Sequence, residues 1–399
     1  MSLDKTVSAE RVHIGFFGKR NAGKSSLVNA VTGQSLSVVS EVCGTTTDPV
    51  KKSMELLPLG PIVIIDTPGF DDEGELGMLR VQKTREILAQ TDIAVLVTDS
   101  TVKTDEDEKI FIEIIKEKNL PCIIARNKAD LLSEVPEASE GEIWVSAAGG
   151  INIDAFKEML GGLTQPGKNE RRLVGDLLNT GDVVVLVTPI DESAPKGRLI
   201  LPQQQTIRDI LDSGCTAVVC QAEQLESTLA VLSKPPKMVI TDSQAFGKVS
   251  KLVPAEIPLT SFSILFARYK GDLPTQVQGA AMLSKLRDGD KILISEGCTH
   301  HRQCGDIGTV KLPAWIRSFS RGDISFDFTS GGEFPERLSD YKLVVHCGGC
   351  MLNEAEMKHR IASAKKSNVP IVNYGVAIAH VNGILRRSLE LFPEVLNLL

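Results

Sequence analysis

From residue 11 onward, short apolar runs alternate with longer amphipathic stretches. In the first part of the chain the apolar runs have the length of strands: RVHIGFF, PIVIIDT, DIAVLVTD, PCIIARN and EIWVS. Runs of this kind, bounded by turn residues and separated by helical segments, are typical of strands buried on both faces of a parallel sheet. The pattern predicts an α/β fold with a largely parallel, doubly wound sheet flanked by helices.

Two more series of strands and helices follow. The second contains DVVVLVTPI, TAVVCQ and KMVITD, and the third contains DKILISEG, DISFDFTSGG, YKLVVH and PIVNYG. The stretch GGLTQPGKNE at 161–170 is rich in Gly and polar residues and is typical of a linker. Because 399 residues exceed the size of one core, we expect three α/β domains, at 1–165, 172–262 and 266–399.

Composition and charge narrow the class of protein. With 42% hydrophobic and 24% charged residues and no apolar run of about 18 residues, the chain predicts a globular protein without a membrane partner. The first residues lack a basic secretory segment, so we expect a cytoplasmic location and reduced thiols for its eight cysteines. The net charge of −7 argues against a nucleic-acid partner.

The first apolar run is followed by GKRNAGKS, which matches the phosphate-binding loop G-x-x-x-x-G-K-[ST] between a strand and a helix. Glycines let the backbone approach the phosphates, and amides at the helix start donate hydrogen bonds to them. We expect Lys24 to neutralise phosphate charge and Ser25 to bind Mg²⁺. The expected nucleotide contacts of this loop are Gly18, Asn21, Ala22, Gly23, Lys24, Ser25 and Ser26.

A second motif selects the base. Asn127, Lys128 and Asp130 form N-K-A-D directly after the run PCIIAR. A carboxylate at Asp130 can accept hydrogen bonds from N1–H and the exocyclic amine of guanine, whereas adenine lacks both donors and would leave a buried acceptor unpaired. Ser146 and Ala147, after EIWV, fit the loop that contacts the guanine carbonyl. GTP and GDP are the predicted ligands.

The magnesium and switch positions complete this site. Asp66 ends the run PIVIID and can hold Mg²⁺ through water, while the amide of Gly69 can meet the γ-phosphate. Thr46 lies in GTTTD, between the first helix and the next strand, where a threonine would close the Mg²⁺ shell; Thr45 and Thr47 are its neighbours. Lys24, Thr46 and Gly69 are therefore the predicted catalytic residues.

The middle series carries no phosphate loop and no convergent set of ionisable residues. An apolar-rich module of this kind is more simply a docking or oligomerisation unit than an enzyme, and we expect it to form a dimer.

The third series places sulfur and imidazole groups at strand ends. Cys298 and His300 follow KILISEG, and His346, Cys347 and Cys350 follow or end KLVVH. Ligands bind beyond the C-terminal ends of strands in open parallel sheets, so these two loops are expected to meet in one crevice.

Three kinds of chemistry fit these residues. A redox dithiol would leave the third cysteine unexplained. A structural zinc would use Cys298, Cys347, Cys350 and one of His300 or His346. An iron-sulfur cluster would use the three thiolates and leave one iron with a weaker, replaceable ligand. Spacing alone does not decide between zinc and iron-sulfur.

Residues 11 to about 165 resemble the translation-factor-related GTPases of the Era/TrmE type, on GKRNAGKS, DTPG, NKAD and SAA. The resemblance implies that Asn21 takes part in K⁺ binding and K⁺-stimulated hydrolysis. Phe70 stands where Ras-type enzymes carry their water-orienting glutamine, so we expect slow intrinsic hydrolysis. Glu73 and Glu75 can orient water or simply belong to a solvated loop.

Over essentially its whole length the chain resembles the FeFe-hydrogenase maturation GTPases, the HydF family. The resemblance rests on C-T-H at 298–300 and H-C-G-G-C at 346–350, coupled to the GTPase motifs. It implies a 4Fe-4S cluster on Cys298, Cys347 and Cys350, with His300 and His346 as possible fourth ligands. A carboxylate such as Glu296, or water, can take that position instead.

The same resemblance implies the role and the partners. The family receives a transient di-iron precursor from two radical-SAM maturases and delivers it to apo FeFe-hydrogenase, so this chain is expected to act as a homodimeric scaffold or carrier. Two other functions fit the residues: a tRNA-modifying GTPase with a redox CxxC, and a zinc-stabilised, GTP-dependent adaptor.

Overall fold

The computed structural model describes residues 10–33, 50–67, 69, 84–163, 172–189, 199–297, 306–335 and 337–399. The chain divides into two units, Met1–Glu170 and Arg171–Leu399. In the described ranges, no helix is both long enough and apolar enough to cross a membrane.

The first unit contains a six-stranded sheet with the order β2-β3-β1-β4-β5-β6. Its strands are β1 (Val12–Phe17), β2 (Val50–Leu56), β3 (Gly60–Asp66), β4 (Ile93–Asp99), β5 (Cys122–Asn127) and β6 (Glu142–Trp144). All neighbouring strands are parallel except β2, which pairs antiparallel with β3. The predicted α/β class with a largely parallel sheet is confirmed, and β2 is an edge strand that the apolar pattern did not reveal.

Helices cover both faces of this sheet. They include α1 (Lys24–Thr32), α2 (Glu106–Glu117) and α3 (Ile153–Gly162). Phe16 and Phe17 are neighbours in β1, and their side chains lie on opposite faces of the sheet. Phe16 is buried in the core that contains α1 and α3, and Phe17 is buried in the core that contains α2. Because side chains alternate along a strand, a run that is apolar at every position is buried on both sides.

The second unit contains two four-stranded parallel sheets, in the orders β10-β9-β7-β8 and β12-β11-β13-β14. The first consists of β7 (Val183–Val187), β8 (Thr216–Cys220), β9 (Met238–Thr241) and β10 (Leu259–Ser261). The second consists of β11 (Lys291–Glu296), β12 (Ser325–Ser330), β13 (Leu343–His346) and β14 (Ile371–Asn373). The strand order within each sheet requires crossover connections, which the helices supply.

The helices of this unit are α4 (Leu201–Asp212), α5 (Leu225–Val231), α6 (Phe246–Leu252), α7 (Phe262–Lys270), α8 (Leu273–Ala280), α9 (Leu312–Ser320), α10 (Glu354–Lys366), α11 (Tyr374–Val381), α12 (Leu385–Ser388) and α13 (Pro393–Leu396). One apolar core joins both sheets: Val185 of β7 and Ile294 of β11 belong to it together with Leu265 of α7. The boundary expected between 262 and 266 therefore lies within α7, a helix whose buried side chains belong to the shared core.

Candidate functional site

The phosphate-binding loop connects β1 to α1 and needs glycine at both ends. Gly18 passes so close to β4 that a Cβ there would lie 2.2 Å from the Val97 carbonyl oxygen. Gly23 has a φ of +90°, and a Cβ there would lie 2.1 Å from Asn127 Nδ2. Neither position has room for a side chain, so both require glycine.

Lys24 is buried at the first position of α1. Its Nζ donates to the carbonyl oxygens of Gly18 at 2.9 Å and Lys19 at 2.7 Å, so the ammonium lies against the loop that it is predicted to serve. Asn21 adopts the left-handed region, with φ of +60°, and its side chain is exposed at the tip of the loop. Ser26 follows Ser25 in α1.

Ser25 and Asp66 form the expected magnesium position. Ser25 Oγ donates to Asp66 Oδ2 at 2.7 Å, and the other carboxylate oxygen, Oδ1, is buried without a hydrogen-bond partner among the described residues. A buried carboxylate oxygen without a donor is costly unless a ligand supplies the missing interaction. Hydroxyl and carboxylate oxygens are the donors that Mg²⁺ prefers, so this pair fits the ion. Gly69 follows β3 and is partly exposed.

The base-recognition loops are joined to the phosphate loop by Asn127. Its Nδ2 donates to the Ala22 carbonyl oxygen at 3.0 Å, and its Oδ1 accepts from the Ala147 amide at 3.0 Å. Ser146 Oγ donates to the Asp130 carboxylate, which orients that side chain. The structure therefore brings three predicted motifs together at the C-terminal ends of β1, β5 and β6.

Lys128 has a partner that the sequence did not indicate. It adopts the left-handed region with φ of +66°, and its Nζ forms an ion pair with Asp99 at the end of β4. The pKa of Asp99 is lowered, because hydrogen bonds from Lys128 and Thr101 outweigh the cost of its burial. Asp99 thus holds Lys128 beside Asn127 and Asp130.

Several predicted residues lie outside the described ranges. In the first unit these are Thr46, with its neighbours Thr45 and Thr47, and the switch residues Phe70, Glu73 and Glu75. In the second unit they are Cys298 and His300.

The second predicted site begins where β13 ends. Cys347 Sγ accepts hydrogen bonds from the backbone amides of Gly297 at 3.0 Å and Gly349 at 3.4 Å. Gly297 is the first residue after β11, and it lies against the loop that follows the neighbouring strand β13. Cys298 is the next residue after Gly297. Gly297, which immediately precedes the third predicted cysteine, therefore lies against the CGGC turn.

Cys347 and Cys350 are both free thiols. Burial raises the pKa of Cys347 to about 11, although two backbone amides favour the thiolate. Burial also raises the pKa of Cys350, and the positive charge of Lys270 opposes that rise. Thiolates bind metals, so metal binding must displace these protons.

His346 has partners on both ring nitrogens. Nδ1 lies 2.7 Å from the Cys347 carbonyl oxygen, and Nε2 lies 3.0 Å from Arg360 Nη1. A guanidinium can only donate, so Nε2 accepts and Nδ1 carries the proton. Burial, assisted by the charge of Arg360, lowers the pKa of His346 to about 3. In this arrangement neither ring nitrogen of His346 is available to bind iron.

Glu296, the last residue of β11, is a buried carboxylate close to the Cys347 thiol. Its Oε1 accepts from the Tyr374 hydroxyl at 3.3 Å, and its negative charge contributes to the raised pKa of Cys347. Among the residues that the structure describes, no three His, Cys, Asp or Glu side chains form a group able to hold a metal ion. Cys347 and Cys350 nevertheless leave two free thiols in this turn, and Gly297 lies against the first of them.

Two buried cations next to the CGGC turn were not predicted. They are Arg360 of α10 and Lys270 of α7. A signal for Arg360 was present in the sequence, because it occupies the buried stripe of an amphipathic helix together with Met357, Ile361 and Ala364. Lys270 stands at the end of a helix in an otherwise ordinary position, and its sequence gave no comparable signal.

Models of known families match both units. One described as the hydrogen maturase F dimerization domain matches residues 173–271, and one described as the hydrogen maturase F tetramerization domain matches 274–391. A third, described as a 50S ribosome-binding GTPase, matches 13–128.

Curated relatives match over the GTPase motifs. The tRNA modification GTPase MnmE of Francisella tularensis subsp. novicida (strain U112) is 33% identical over 162 residues, which cover 38% of this chain and 35% of that protein. GTPase Der of Wolinella succinogenes is 36% identical over 166 residues, which cover 37% of this chain and 35% of that protein. The chain thus spans about a third of the length of these relatives.

Solved structures that match this chain include Era in complex with MgGDPNP and a segment of 16S ribosomal RNA. It is 20% identical, with 52% of this chain and 91% of that chain covered and a TM-score of 0.34. A probable GTP-binding protein engB is 23% identical, with 40% of this chain and 100% of that chain covered and a TM-score of 0.31.

Proposed function

The chain belongs to the hydrogen maturase F family of GTPases, and from this membership we propose that it hydrolyses GTP and serves as a scaffold for an iron-sulfur cluster and a di-iron precursor. The precursor would be received from two radical-SAM maturases and delivered to apo FeFe-hydrogenase. The observation that carries the cluster assignment is the hydrogen bond from the Gly297 amide to Cys347 Sγ at 3.0 Å. It places Gly297, the residue before Cys298 in the sequence, against the loop of Cys347 and Cys350.

In the GTPase unit, one set of residues would bind the guanine base and another would bind the phosphates. Asp130, held by Ser146, would accept from the guanine edge, while Asn127 ties that loop to the phosphate loop. Lys24 would move from the Gly18 and Lys19 carbonyls to the β- and γ-phosphates, where its charge is better neutralised. The Gly69 amide would meet the γ-phosphate from the switch side, and Thr46 would close the Mg²⁺ shell.

Mg²⁺ supplies positive charge to the phosphate oxygens during hydrolysis. Ser25 and Asp66 would hold it, together with Thr46. Asn21, exposed at the loop tip, would take part in binding K⁺, so that K⁺ speeds hydrolysis. Because Phe70 cannot orient water, the intrinsic reaction would be slow.

For the 4Fe-4S cluster, Cys298, Cys347 and Cys350 are the proposed ligands. When bound, the cluster supplies an iron with a replaceable fourth ligand. His300 and Glu296 are the proposed residues for that position, since both ring nitrogens of His346 already have partners. The amides of Gly297 and Gly349 would donate to the Cys347 thiolate and stabilise its charge.

A homodimer is proposed to form at the free edge of β8. This strand ends its sheet, and no described strand pairs with its outer side. Val219 on β8 and Leu211 on α4 are both exposed, at 44% and 56%. An exposed edge strand with apolar side chains is a template for pairing with another chain. The dimerization-domain match over 173–271 supports this location.

GTP hydrolysis would change the affinity for a partner maturase rather than perform chemistry on iron. Such coupling requires that the GTP and GDP states bind the partner differently. Equal partner affinities with GTP, with GDP and without nucleotide would rule it out. All of these steps are proposed to take place in the cytoplasm, without nucleic acid or membrane.

The deciding experiment is anaerobic reconstitution with iron and sulfide, followed by metal and sulfide analysis and EPR of the reduced protein. A triple variant, Cys298→Ser with Cys347→Ser and Cys350→Ser, is the comparison. About four irons per chain with a reduced-cluster signal, both absent in the variant, would support the proposal. Stoichiometric zinc with no cluster would leave a zinc-stabilised, GTP-dependent adaptor instead.

The similarity to MnmE lies in the GTPase unit and gives no support to a tRNA-modifying reaction by the CGGC turn.

A further inference from the structure

Among the described residues, Arg360 has the largest side chain that is fully buried, and it is only 1% exposed. Removing a guanidinium from water costs several kcal/mol unless hydrogen bonds and opposite charge compensate for the loss. A buried arginine beside the CGGC turn therefore calls for a specific role.

The guanidinium connects the C-terminal ends of three neighbouring strands. Nη1 donates to Ser295 Oγ of β11 at 3.2 Å and to His346 Nε2 of β13 at 3.0 Å. Nη2 donates to the Gly331 carbonyl oxygen, just after β12, at 2.6 Å. The planar guanidinium spreads its donors over two terminal nitrogens and so reaches acceptors on three separate strand ends, whereas a lysine ammonium has its three donors on one atom and cannot reproduce this geometry.

The charge of Arg360 is largely balanced where it lies. Glu356, one turn earlier in α10, accepts from Nη2 at 2.5 Å, and the ring of Phe334 lies 5.2 Å from the guanidinium carbon. Its effect on the neighbouring turn is therefore mainly geometric. It reaches Cys347 through His346, whose Nδ1 donates to the Cys347 carbonyl oxygen at 2.7 Å.

Lys270 contacts the backbone of the other cysteine of the turn, Cys350. It is the last residue of α7 and only 4% exposed. Its Nζ donates to the carbonyl oxygens of Cys350 at 3.3 Å and Leu352 at 3.0 Å, and lies 5.7 Å from the ring centre of Phe266. Its positive charge acts on the Cys350 thiol.

We propose that Arg360 and Lys270 are positioning residues for the cluster: Arg360 fixes the backbone of Cys347 through His346, and Lys270 places a positive charge beside Cys350. This inference rests on the proposed function. One-electron reduction by an added reductant such as dithionite adds a negative charge to the cluster, and a nearby buried cation stabilises that charge. Lys270 therefore raises the reduction potential, whereas Arg360 determines the geometry of ligation.

The test uses the full-length protein, reconstituted anaerobically and titrated with dithionite while the EPR signal is recorded. Lys270→Gln is expected to shift the reduction potential to a more negative value with little change in the shape of the signal, and Lys270→Arg to restore the potential. Arg360→Lys is expected to change the shape of the signal, because the fork that holds His346 is lost, with a smaller change in potential.

The matched control is Lys358→Gln, which removes an exposed cation of α10 that pairs with Glu354 in the same i,i+4 relation as Arg360 with Glu356. If Lys270→Gln and Arg360→Lys have the potential and the signal of this control, the inference is overturned while the cluster assignment stands. If the unaltered protein takes up no cluster, the proposed function itself fails. Should Arg360→Lys not fold, the potential of Lys270→Gln decides, since its charge effect is independent of the fork.

Discussion

The Asn127 side-chain amide donates to the Ala22 carbonyl oxygen at 3.0 Å and so links a base-recognition loop to the phosphate loop 105 positions away. The same side chain accepts from the Ala147 amide on a third loop. One asparagine side chain therefore links the three loops, and the neighbouring Gly23 leaves room for it because it has no Cβ.

Gly23→Ala is expected to abolish tight GTP binding, because the new Cβ would lie 2.1 Å from Asn127 Nδ2. We expect an affinity loss of about tenfold or more, corresponding to at least ~1.4 kcal/mol, measured with a fluorescent GTP analogue. Gly33→Ala is the control, since Gly33 also has positive φ, +64°, but nothing lies within 4 Å of its Cβ position. The control should lose about 1–2 kcal/mol of stability and keep its GTP affinity. Equal GTP affinities in the two variants would contradict this account.

Asp130→Asn is expected to weaken GTP and GDP binding by roughly 10- to 150-fold, because a charge-assisted hydrogen bond contributes about 1.5–3 kcal/mol. Asp154→Asn serves as the control, because Asp154 has a side chain that is 96% exposed in the same unit. Isothermal titration with GDP measures both. An Asp130→Asn variant with unchanged affinity would remove Asp130 from base recognition.

Asp66→Asn is expected to remove most of the gain in nucleotide affinity that Mg²⁺ produces. One oxygen of the Asp66 carboxylate accepts a hydrogen bond from Ser25, and the other is buried without a hydrogen-bond partner among the described residues. The amide of an asparagine is a much poorer Mg²⁺ ligand than this carboxylate. GDP affinity is measured with Mg²⁺ and with a chelator. An unchanged ratio of the two affinities would show that Asp66 does not hold the ion.

Val219→Lys is expected to convert the proposed dimer to a monomer, because a charged side chain on an edge strand prevents pairing with a second chain. Light scattering after gel filtration measures the mass. Val102→Lys is the control, since Val102 is 65% exposed in the other unit. A dimer that persists in Val219→Lys would place the interface elsewhere.

The amino-acid sequence by itself determined the strand pattern and the side chains that each short motif contains. The strand pattern predicted most of the strands, and GKRNAGKS, NKAD and HCGGC predicted ligand groups, because each motif needs only residues that are neighbours in sequence. The apolar pattern did not predict the antiparallel strand β2, because its sequence, VKKSMEL, contains more polar than apolar residues and forms no apolar run.

Tertiary structure decided what the side chains do once distant segments meet. The sequence offered His346 as a possible iron ligand, and only the packing of α10 against β13 showed that Arg360 and the Cys347 carbonyl oxygen occupy its two nitrogens. Lys270 reaches the Cys350 carbonyl oxygen across 80 positions of chain. Such contacts depend on how helices and sheets bury their apolar faces against each other, and no short stretch of sequence encodes that arrangement.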